Sequence, residues 1–489
     1  MANLVSDLFE QARLTTRALR EFGGNVFQPT VRLGVTGLSR AGKTVFITAL
    51  VHALLRNGRF PVFEALAGGR IARARLAPQP DDTVPRFAYE AHLQSLLKDR
   101  QWPESTKQIS ELRLVIDYQS QNGPMRELTL DIVDYPGEWL LDLPLLRQSY
   151  EDWSAETIRL SRQPDRARLA ADWQSHLATL DPGTQANEQV AKDAAAHFTR
   201  YLQACRDERF ALSLLPPGRF LMPGELADSP ALTFAPLDTL DGSAPSGSLW
   251  AMMRRRYESY KDAIVRPFYR DHIARLDRQI VLVDALTALN AGPDAVRDLE
   301  RALAAILDSF NVGKNNIISA LFSPRIDRIL FAATKADLLH HTSHDKLERI
   351  LERLVADAAE RAQYSGARID VAALASVRAT REANVSGRHG GLPSIVGVPA
   401  AGEQADGRIF DGQSEIVVYP GDLPDDPDAI FKPGEISFRG LAAGPSDEAD
   451  FRFLRFRPPA LETGDGGAPA LPHIRLDRAL EFLIGDRLR

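Results

Sequence analysis

The sequence predicts an α/β fold: a mostly parallel sheet with helices on both faces, carrying a large helical insertion and a smaller β-rich one near the C-terminus. Three stretches predict it. In Val31 to Leu50, VRLGVTGLSRAGKTVFITAL, the residues Val31, Leu33 and Val35 alternate as in a buried strand. Gly37 to Thr44 then fits GxxxxGK(S/T), and an apolar-periodic helix follows as far as Asn57-Gly58. Further along, two alternating runs flank Asn122-Gly123 as a hairpin, and the second runs into Asp131 to Glu138, DIVDYPGE. Last, the apolar run Ile326 to Ala332 opens onto Ala333-Thr334-Lys335-Ala336-Asp337.

The first stretch puts strand, phosphate loop and helix in the required order. Gly37 and Gly42 permit backbone angles closed to other residues, so that successive N–H groups can wrap a chain of phosphate oxygens. Gly37, Ser39, Arg40, Ala41, Gly42, Lys43, Thr44 and Val45 are the candidate cradle. Lys43 brings a positive charge to where β and γ phosphates would lie, and Thr44 offers a hydroxyl to Mg²⁺. The helix N-terminus adds its dipole. A chance glycine turn would not come with both a strand before it and a helix after it.

Composition sets the bounds. The 489 residues suffice for a large core and two or three substructures, and 44% hydrophobic with 25% charged residues describes a globular chain. A net charge of −6, from 59 basic and 65 acidic residues, argues against nucleic acid as a general partner. One cysteine, Cys205, cannot form an internal disulfide, which points to a reducing compartment. No apolar run reaches the length of a membrane span; Ile280 to Leu289 carries Asp284 and Thr287. Leu4 to Phe22 reads as an amphipathic helix with balanced charges, suited to docking on the protein's own surface.

The segments between the motifs follow in order. Gly58 to Arg100 is a proline-bearing loop and then a helix from about Pro85 to Asp99, followed by Trp102-Pro103-Glu104-Ser105-Thr106. The hairpin places Leu112, Leu114, Ile116 and Tyr118 on one face, with Leu128, Leu130 and Ile132 returning. From Leu140 to Arg278 the period changes to 3.6, over Gln148 to Arg162, Asp165 to Leu180, Asn187 to Asp207 and Leu249 to Leu276. The cluster Arg254, Arg255, Arg256 and Lys261 reads as a solvated helix face interleaved with Glu258 and Asp262. A strand returns at Gln279 to Asp284, with a helix from Asp294 to about Phe310 and another from Asp345 to Ala362. Ile369 to Leu374 is a further strand. Thr380 to Leu471 forms the β-rich insertion, with short strands at Ser394 to Val398, Ile416 to Tyr419, Glu435 to Arg439 and Phe451 to Phe456. An amphipathic helix, His473 to Leu488, closes the chain on the sheet.

Thr334, Lys335 and Asp337 form an (N/T)KxD motif at the end of a strand, the residue pattern of guanine recognition. A carboxylate at Asp337 can accept from guanine N1–H and N2–H₂ together, a donor pair that adenine lacks. The stem of Lys335 can lie across the base, and Thr334 ties the loop back toward the phosphate loop. His340, His341 and His344 follow and invite a metal, but no cysteine or second acidic cluster supports one, and Thr342 with Asp345 reads as a helix cap.

With GLSRAGKT, DYPG and TKAD assigned, the chain resembles Ras-like P-loop GTPases over Val31 to Asn57, Thr106 to Glu138, Gln279 to Asp337 and the ends of the last strand and helix. More narrowly it is similar to the YcjX family of bacterial GTP-binding stress proteins, through WPEST, DYPGEW, PPGRFLMPGEL, RQIVLVDAL and TKADLLHH. The resemblance implies a Ras-like P-loop NTPase domain with large insertions, binding GDP and GTP in the cytoplasm, with peripheral contact at the inner membrane as a further expectation. On the DxxG pattern it implies that Asp134 holds Mg²⁺ through water and that the N–H of Gly137 senses the γ-phosphate. Ala375, Ser376 and Val377 fall where such proteins carry a loop whose N–H contacts guanine O6. Thr106 is the choice for the switch threonine on Mg²⁺, with Thr83 and Ser105 as alternatives. Arg40 stands where guanylate-binding proteins and atlastins carry an arginine finger in cis, and an exposed or salt-bridged side chain is the other reading. Glu138 replaces a water-orienting glutamine; its charge faces phosphate, which predicts slow turnover.

The expected organisation is an N-terminal helix over 1–30, the nucleotide domain over 31–139 and 279–379, a helical insertion over 140–278, a β-rich insertion over 380–470 and a final helix over 471–489. The leading function is a GTP-hydrolysing switch whose helical insertion meets a protein partner, and no nucleic acid is expected. A non-hydrolysing scaffold and an assembling GTPase of the dynamin or atlastin sort are the alternatives. An ATP-dependent kinase fits least, because TKAD would serve nothing.

Overall fold

The computed structural model describes residues 29–38, 40–56, 58–121, 123–227, 229–238, 245–310, 326–363, 366–387, 390–405, 407–432, 453–461 and 469–489. The N-terminal helix expected at Leu4 to Phe22, Ser39 of the phosphate loop and the strand expected at Glu435 to Arg439 lie outside them.

A seven-stranded sheet organises the molecule. Its strands are β1 (Thr30–Gly37), β2 (Ile71–Ala77), β3 (Ser110–Gln119), β4 (Met125–Asp134), β5 (Arg278–Val283), β6 (Arg328–Ala333) and β7 (Arg368–Ala373), in the spatial order β2-β3-β4-β1-β5-β6-β7. β1 runs parallel to β4 and β5, β5 to β6 and β6 to β7, whereas β3 is antiparallel to both its neighbours. Register places Val35 opposite Asp134, Gly37 opposite Leu282, Val283 opposite Ala333 and Ala333 opposite Ala373. The C-terminal ends of five parallel strands therefore share one edge, where open α/β sheets bind ligands.

The five parallel strands are apolar on both faces because helices cover both. On one face α1 (Lys43–Leu55) and the closing helix pack on Leu33, Val35, Leu114, Leu130 and Ile280 through Phe46, Leu50, Leu480 and Leu483. The other face, with Val133, Val281, Val283, Phe331 and Val371, shares its core with α2 (Tyr150–Ser161), α3 (Pro164–Leu177), α4 (Glu188–Arg206) and α5 (Leu249–Tyr260) of the insertion. The helices α6 (Ala285–Ala291), α7 (Pro293–Phe310) and α8 (His344–Gln363) belong to the same cluster, and α9 (Leu476–Ile484) is the closing helix. Burying a Trp or Phe here contributes on the order of 3 kcal/mol, and Trp153, Trp173, Phe198 and Tyr257 are all buried.

Several boundaries differ from the expectations. The helix predicted over Leu249 to Leu276 breaks after Tyr260 into a wide turn, Lys261–Val265, and a short helix, Arg266–Asp271. Pro267 cannot donate to the preceding turn, and the widened turn absorbs the missing bond. The helix predicted over Pro85 to Asp99 is confined to Tyr89–Gln94 with a wide turn after it. β2 lies in a segment read as loop and helix. Its Arg73 and Arg75 suit an exposed edge, where Arg75 pairs with Glu127 at 2.7 Å.

The basic cluster divides: Arg254 and Arg255 stay exposed on α5, as expected of a solvated face, whereas Arg256 and Lys261 turn inward. Arg256 is buried against Glu188, and Lys261 bonds the Gln148 carbonyl at 3.0 Å. In the β-rich segment β8 (Arg381–Gly387) and β9 (Gly390–Gly397) form a hairpin to which β12 (Ile416–Val418) adds, with β10 (Gln404–Ala405) and β11 (Arg408–Ile409) as a separate pair. Phe453 to Phe456 makes only a bridge to Pro399, not a strand.

Candidate functional site

The loop from β1 to α1 is shaped by its backbone. Gly42 caps α1 at φ 82°, and Arg40 also takes a left-handed conformation at φ 61°. Gly37 is needed for space rather than for its torsion, since a Cβ there would lie 2.6 Å from the Leu282 carbonyl. Ala41 is buried and Val45 half-buried. Lys43, also buried, turns back over the loop and donates to the Gly37 carbonyl at 2.9 Å.

Three oxygen-bearing side chains converge beside Lys43. Thr106 Oγ1 donates to Asp134 Oδ2 at 2.8 Å and lies 3.4 Å from Thr44 Oγ1, which itself donates to the Glu104 carbonyl at 3.2 Å. Asp134 Oδ1 is buried without a hydrogen-bond partner. Burial pushes the Asp134 carboxyl up to about 6, against the opposing charge of Lys43 and the Thr106 bond. A hard cation with oxygen ligands fits this set, because it would satisfy the orphaned oxygen and hold the carboxylate ionised. Of the alternatives to Thr106, Thr83 spends its hydroxyl on Asp81 at 2.6 Å, and Ser105 is exposed. Gly137 presses on the phosphate loop, where a Cβ would meet the Gly37 carbonyl oxygen at 2.2 Å.

At the far end, Thr334 is buried and its N–H bonds the Val283 carbonyl at 2.9 Å. Lys335, at φ 61°, reaches Asp284 Oδ2 at 2.5 Å. Asp337 is buried; its Oδ2 accepts from Ala379 N–H at 2.9 Å, and Thr380 donates its hydroxyl to the Asp337 carbonyl. Burial raises the Asp337 carboxyl to about 6, against the Ala379 bond. In the next loop the Ala375 N–H is committed to the Ile474 carbonyl at 3.1 Å, which leaves Ser376 and Val377, both buried, as the backbone nearest the motif in sequence.

Arg40 and Glu138 both meet the insertion. Glu138, buried, pairs with Arg206 of α4 at 3.0 Å, and Arg40 forms an ion pair with Glu208 just beyond α4. These four line one cleft with Leu38 and Asp284. The segment after Gly137 is held equally closely: Gly218 N–H and Tyr260 OH bond the two oxygens of Asp142 at 2.6 and 2.7 Å, and Arg219 lies 3.1 Å above the Trp139 ring. A Cβ on Gly218 would meet the Glu138 carbonyl oxygen at 2.0 Å. Arg206, Glu208 and Asp284 were not among the residues the motifs marked. Only Asp284 had a signal, as the polar residue that ends a buried strand.

Among the histidines, His340 and His341 come together while His344 packs elsewhere. The expected cap is absent: Thr342 bonds His340 and Asp345 pairs with Arg475.

A parallel sheet of this order, with a phosphate loop after the central strand and an antiparallel excursion before it in space, defines a Ras-like P-loop protein carrying insertions. The chain belongs to the YcjX-like family, DUF463, whose model matches residues 31–488. It is 39% identical over 476 residues to the Ras-like GTPase YcjX of Escherichia coli strain K12, covering 94% of this chain and 96% of that protein. With the Ras-like GTPase YcjX of Shewanella oneidensis it shares 34% identity over 490 residues, 94% of each chain.

Proposed function

We propose that the chain binds guanine nucleotides with Mg²⁺ and hydrolyses GTP to GDP and phosphate, acting as a nucleotide-dependent switch. The observation that carries this is the convergence of Thr44, Thr106 and the unpartnered Oδ1 of Asp134 beside Lys43, at the same edge of the sheet as Thr334, Lys335 and Asp337. The names of the relatives from E. coli and S. oneidensis support the same chemistry.

In this reading the amides from Gly37 to Val45 and the Lys43 ammonium hold the β and γ phosphates. Asp337 reads the base edge, and Ser376 and Val377 offer N–H groups to O6. Mg²⁺ held by Thr44, Thr106 and Asp134 would neutralise charge on the phosphate oxygens. Gly137 meets the γ-phosphate through its N–H. Arg40 serves as an arginine in cis only after leaving Glu208, and such arginines contribute about 10³ to 10⁵ in rate. Glu138 acts on the attacking water only after leaving Arg206. The two ion pairs thus link γ-phosphate contacts to the end of α4, which supports the insertion as the output toward a protein partner. A role in the bacterial cytoplasm and in stress belongs to this reading through the family resemblance.

A GTP-binding scaffold without hydrolysis is the second reading, favoured by the engagement of Glu138 with Arg206. Calorimetric titration with GDP, GTP and ATP in Mg²⁺ tests the binding claim; equal affinity for ATP would refute it. Single-turnover hydrolysis with Arg40→Ala separates switch from scaffold, because a scaffold has no rate to lose.

A further inference from the structure

The TKAD loop continues into His340 and His341, and the fold brings a third group to them from 41 residues on in the chain. Glu382, in β8, puts Oε2 2.7 Å from His341 Nδ1 and 4.0 Å from His340 Nε2. One ligand atom from each residue falls within 4.8 Å of the others. A Zn²⁺ ion bonded at about 2.0–2.2 Å holds tetrahedral ligands about 3.3 Å apart, so small side-chain adjustments close the set.

The surrounding groups are those that orient ligands. Arg378 donates to Glu382 Oε1 at 3.1 Å and leaves Oε2 toward the histidines, and the Arg378 Nε donates to the Thr380 carbonyl at 2.9 Å. His340 Nδ1 lies 3.0 Å from Thr342 Oγ1 and accepts from the Thr342 N–H at 3.4 Å; an ion on Nε2 requires the other tautomer, Nδ1–H, for which Thr342 Oγ1 is the acceptor at hand. His341 stands exposed, so an ion has an open approach and a fourth position for water.

We propose that His340, His341 and Glu382 form a site for a divalent transition-metal ion of the zinc type, separate from the Mg²⁺ residues. Two imidazoles and one carboxylate suit Zn²⁺ and disfavour Mg²⁺ or Ca²⁺, which take oxygen ligands. The ion would tie the loop after Asp337 to the start of β8. The same two segments already meet through Ala379 N–H on Asp337 Oδ2 and Thr380 on the Asp337 carbonyl. Metal binding therefore steadies the carboxylate that reads the base, and this coupling, unlike the site itself, rests on the nucleotide reading above.

The test uses the untagged full chain, stripped with chelator and titrated calorimetrically with ZnCl₂. One equivalent binds, and His341→Ala or Glu382→Gln weakens it at least about tenfold. Absorption of Co²⁺ added to the unaltered chain needs no variant and shows a saturable four- or five-coordinate spectrum. In the coupled assay Zn²⁺ slows release of a fluorescent GDP analogue from the wild-type chain but not from Glu382→Gln. No saturable zinc binding, or binding that the substitutions leave unchanged, overturns the site while normal GDP binding leaves the nucleotide reading intact. Zinc binding without GDP binding does the reverse and removes only the coupling.

Discussion

Replacing Asp134 by asparagine keeps the shape of the side chain and removes its charge, and the burial of this residue sets the size of the effect. Asp134 is 2% exposed, and its carboxyl is pushed from 3.8 up to about 6 in the ligand-free chain. About two pH units at 1.36 kcal/mol each make the ionised form about 3 kcal/mol less stable folded than unfolded at neutral pH. A carboxyl whose folded pKa lies above its unfolded one binds extra protons in the native state, so this penalty fades as pH falls from 6 toward 4. Asp134→Asn is therefore expected to be more stable than the wild type by about 3 kcal/mol at pH 7.5 without nucleotide or metal. The two chains should converge near pH 4, while the variant loses Mg²⁺-dependent nucleotide binding. Urea unfolding in EDTA, followed by tryptophan fluorescence at both pH values, measures the difference. A gain that is absent at pH 7.5, or that persists unchanged at pH 4, refutes the argument that an uncompensated buried carboxylate waits for a cation.

Three further outcomes follow from the same geometry. Asp337→Ala should erase the preference for GDP over ADP, a discrimination on the order of 10⁴ in sites built on such hydrogen bonds, as read by competition binding. Gly218→Ala forces a Cβ against the Glu138 carbonyl. It should cost about 1–3 kcal/mol in stability and lower affinity for GTP analogues more than for GDP, measured by thermal unfolding and calorimetry. Glu208→Gln frees Arg40 and should raise the single-turnover hydrolysis rate, whereas the same change in an Arg40→Ala background should have no effect; equal gains in both would exclude Arg40 as the agent.

The sheet and its ligand-binding edge were legible because their signals are local. Val31, Leu33 and Val35 alternate directly before GLSRAGKT, and IDRILFA runs directly into ATKAD. Thr106 stands directly before the hairpin in sequence, and in the fold it lies beside Thr44 and Asp134. What stayed hidden depends on contacts between distant segments. Nothing near Arg206 or Glu208 announces Glu138 or Arg40 as partners, since each pair joins the nucleotide loops to a point midway along the insertion. Glu382 likewise belongs to no pattern containing His340, and so the histidines looked unsupported. β2 escaped because IARARLA is rich in alanine and arginine, residues of weak strand preference whose placement here depends on pairing with β3. The break after Tyr260 could have been read from Pro267.

The insertion and the inner face of the sheet bury one continuous set of apolar side chains, from Trp153 and Phe198 through Val281 to Phe331. Swinging the helices away as a rigid lobe would wet that whole interior at a cost of many kilocalories per mole, far beyond the 1–3 kcal/mol typical of coupling between sites. If the chain works as the proposed switch, its signal is expected to travel as a slide of about 1–2 Å along α4 and its two charged contacts. A partner would meet a remodelled rim rather than an opened jaw.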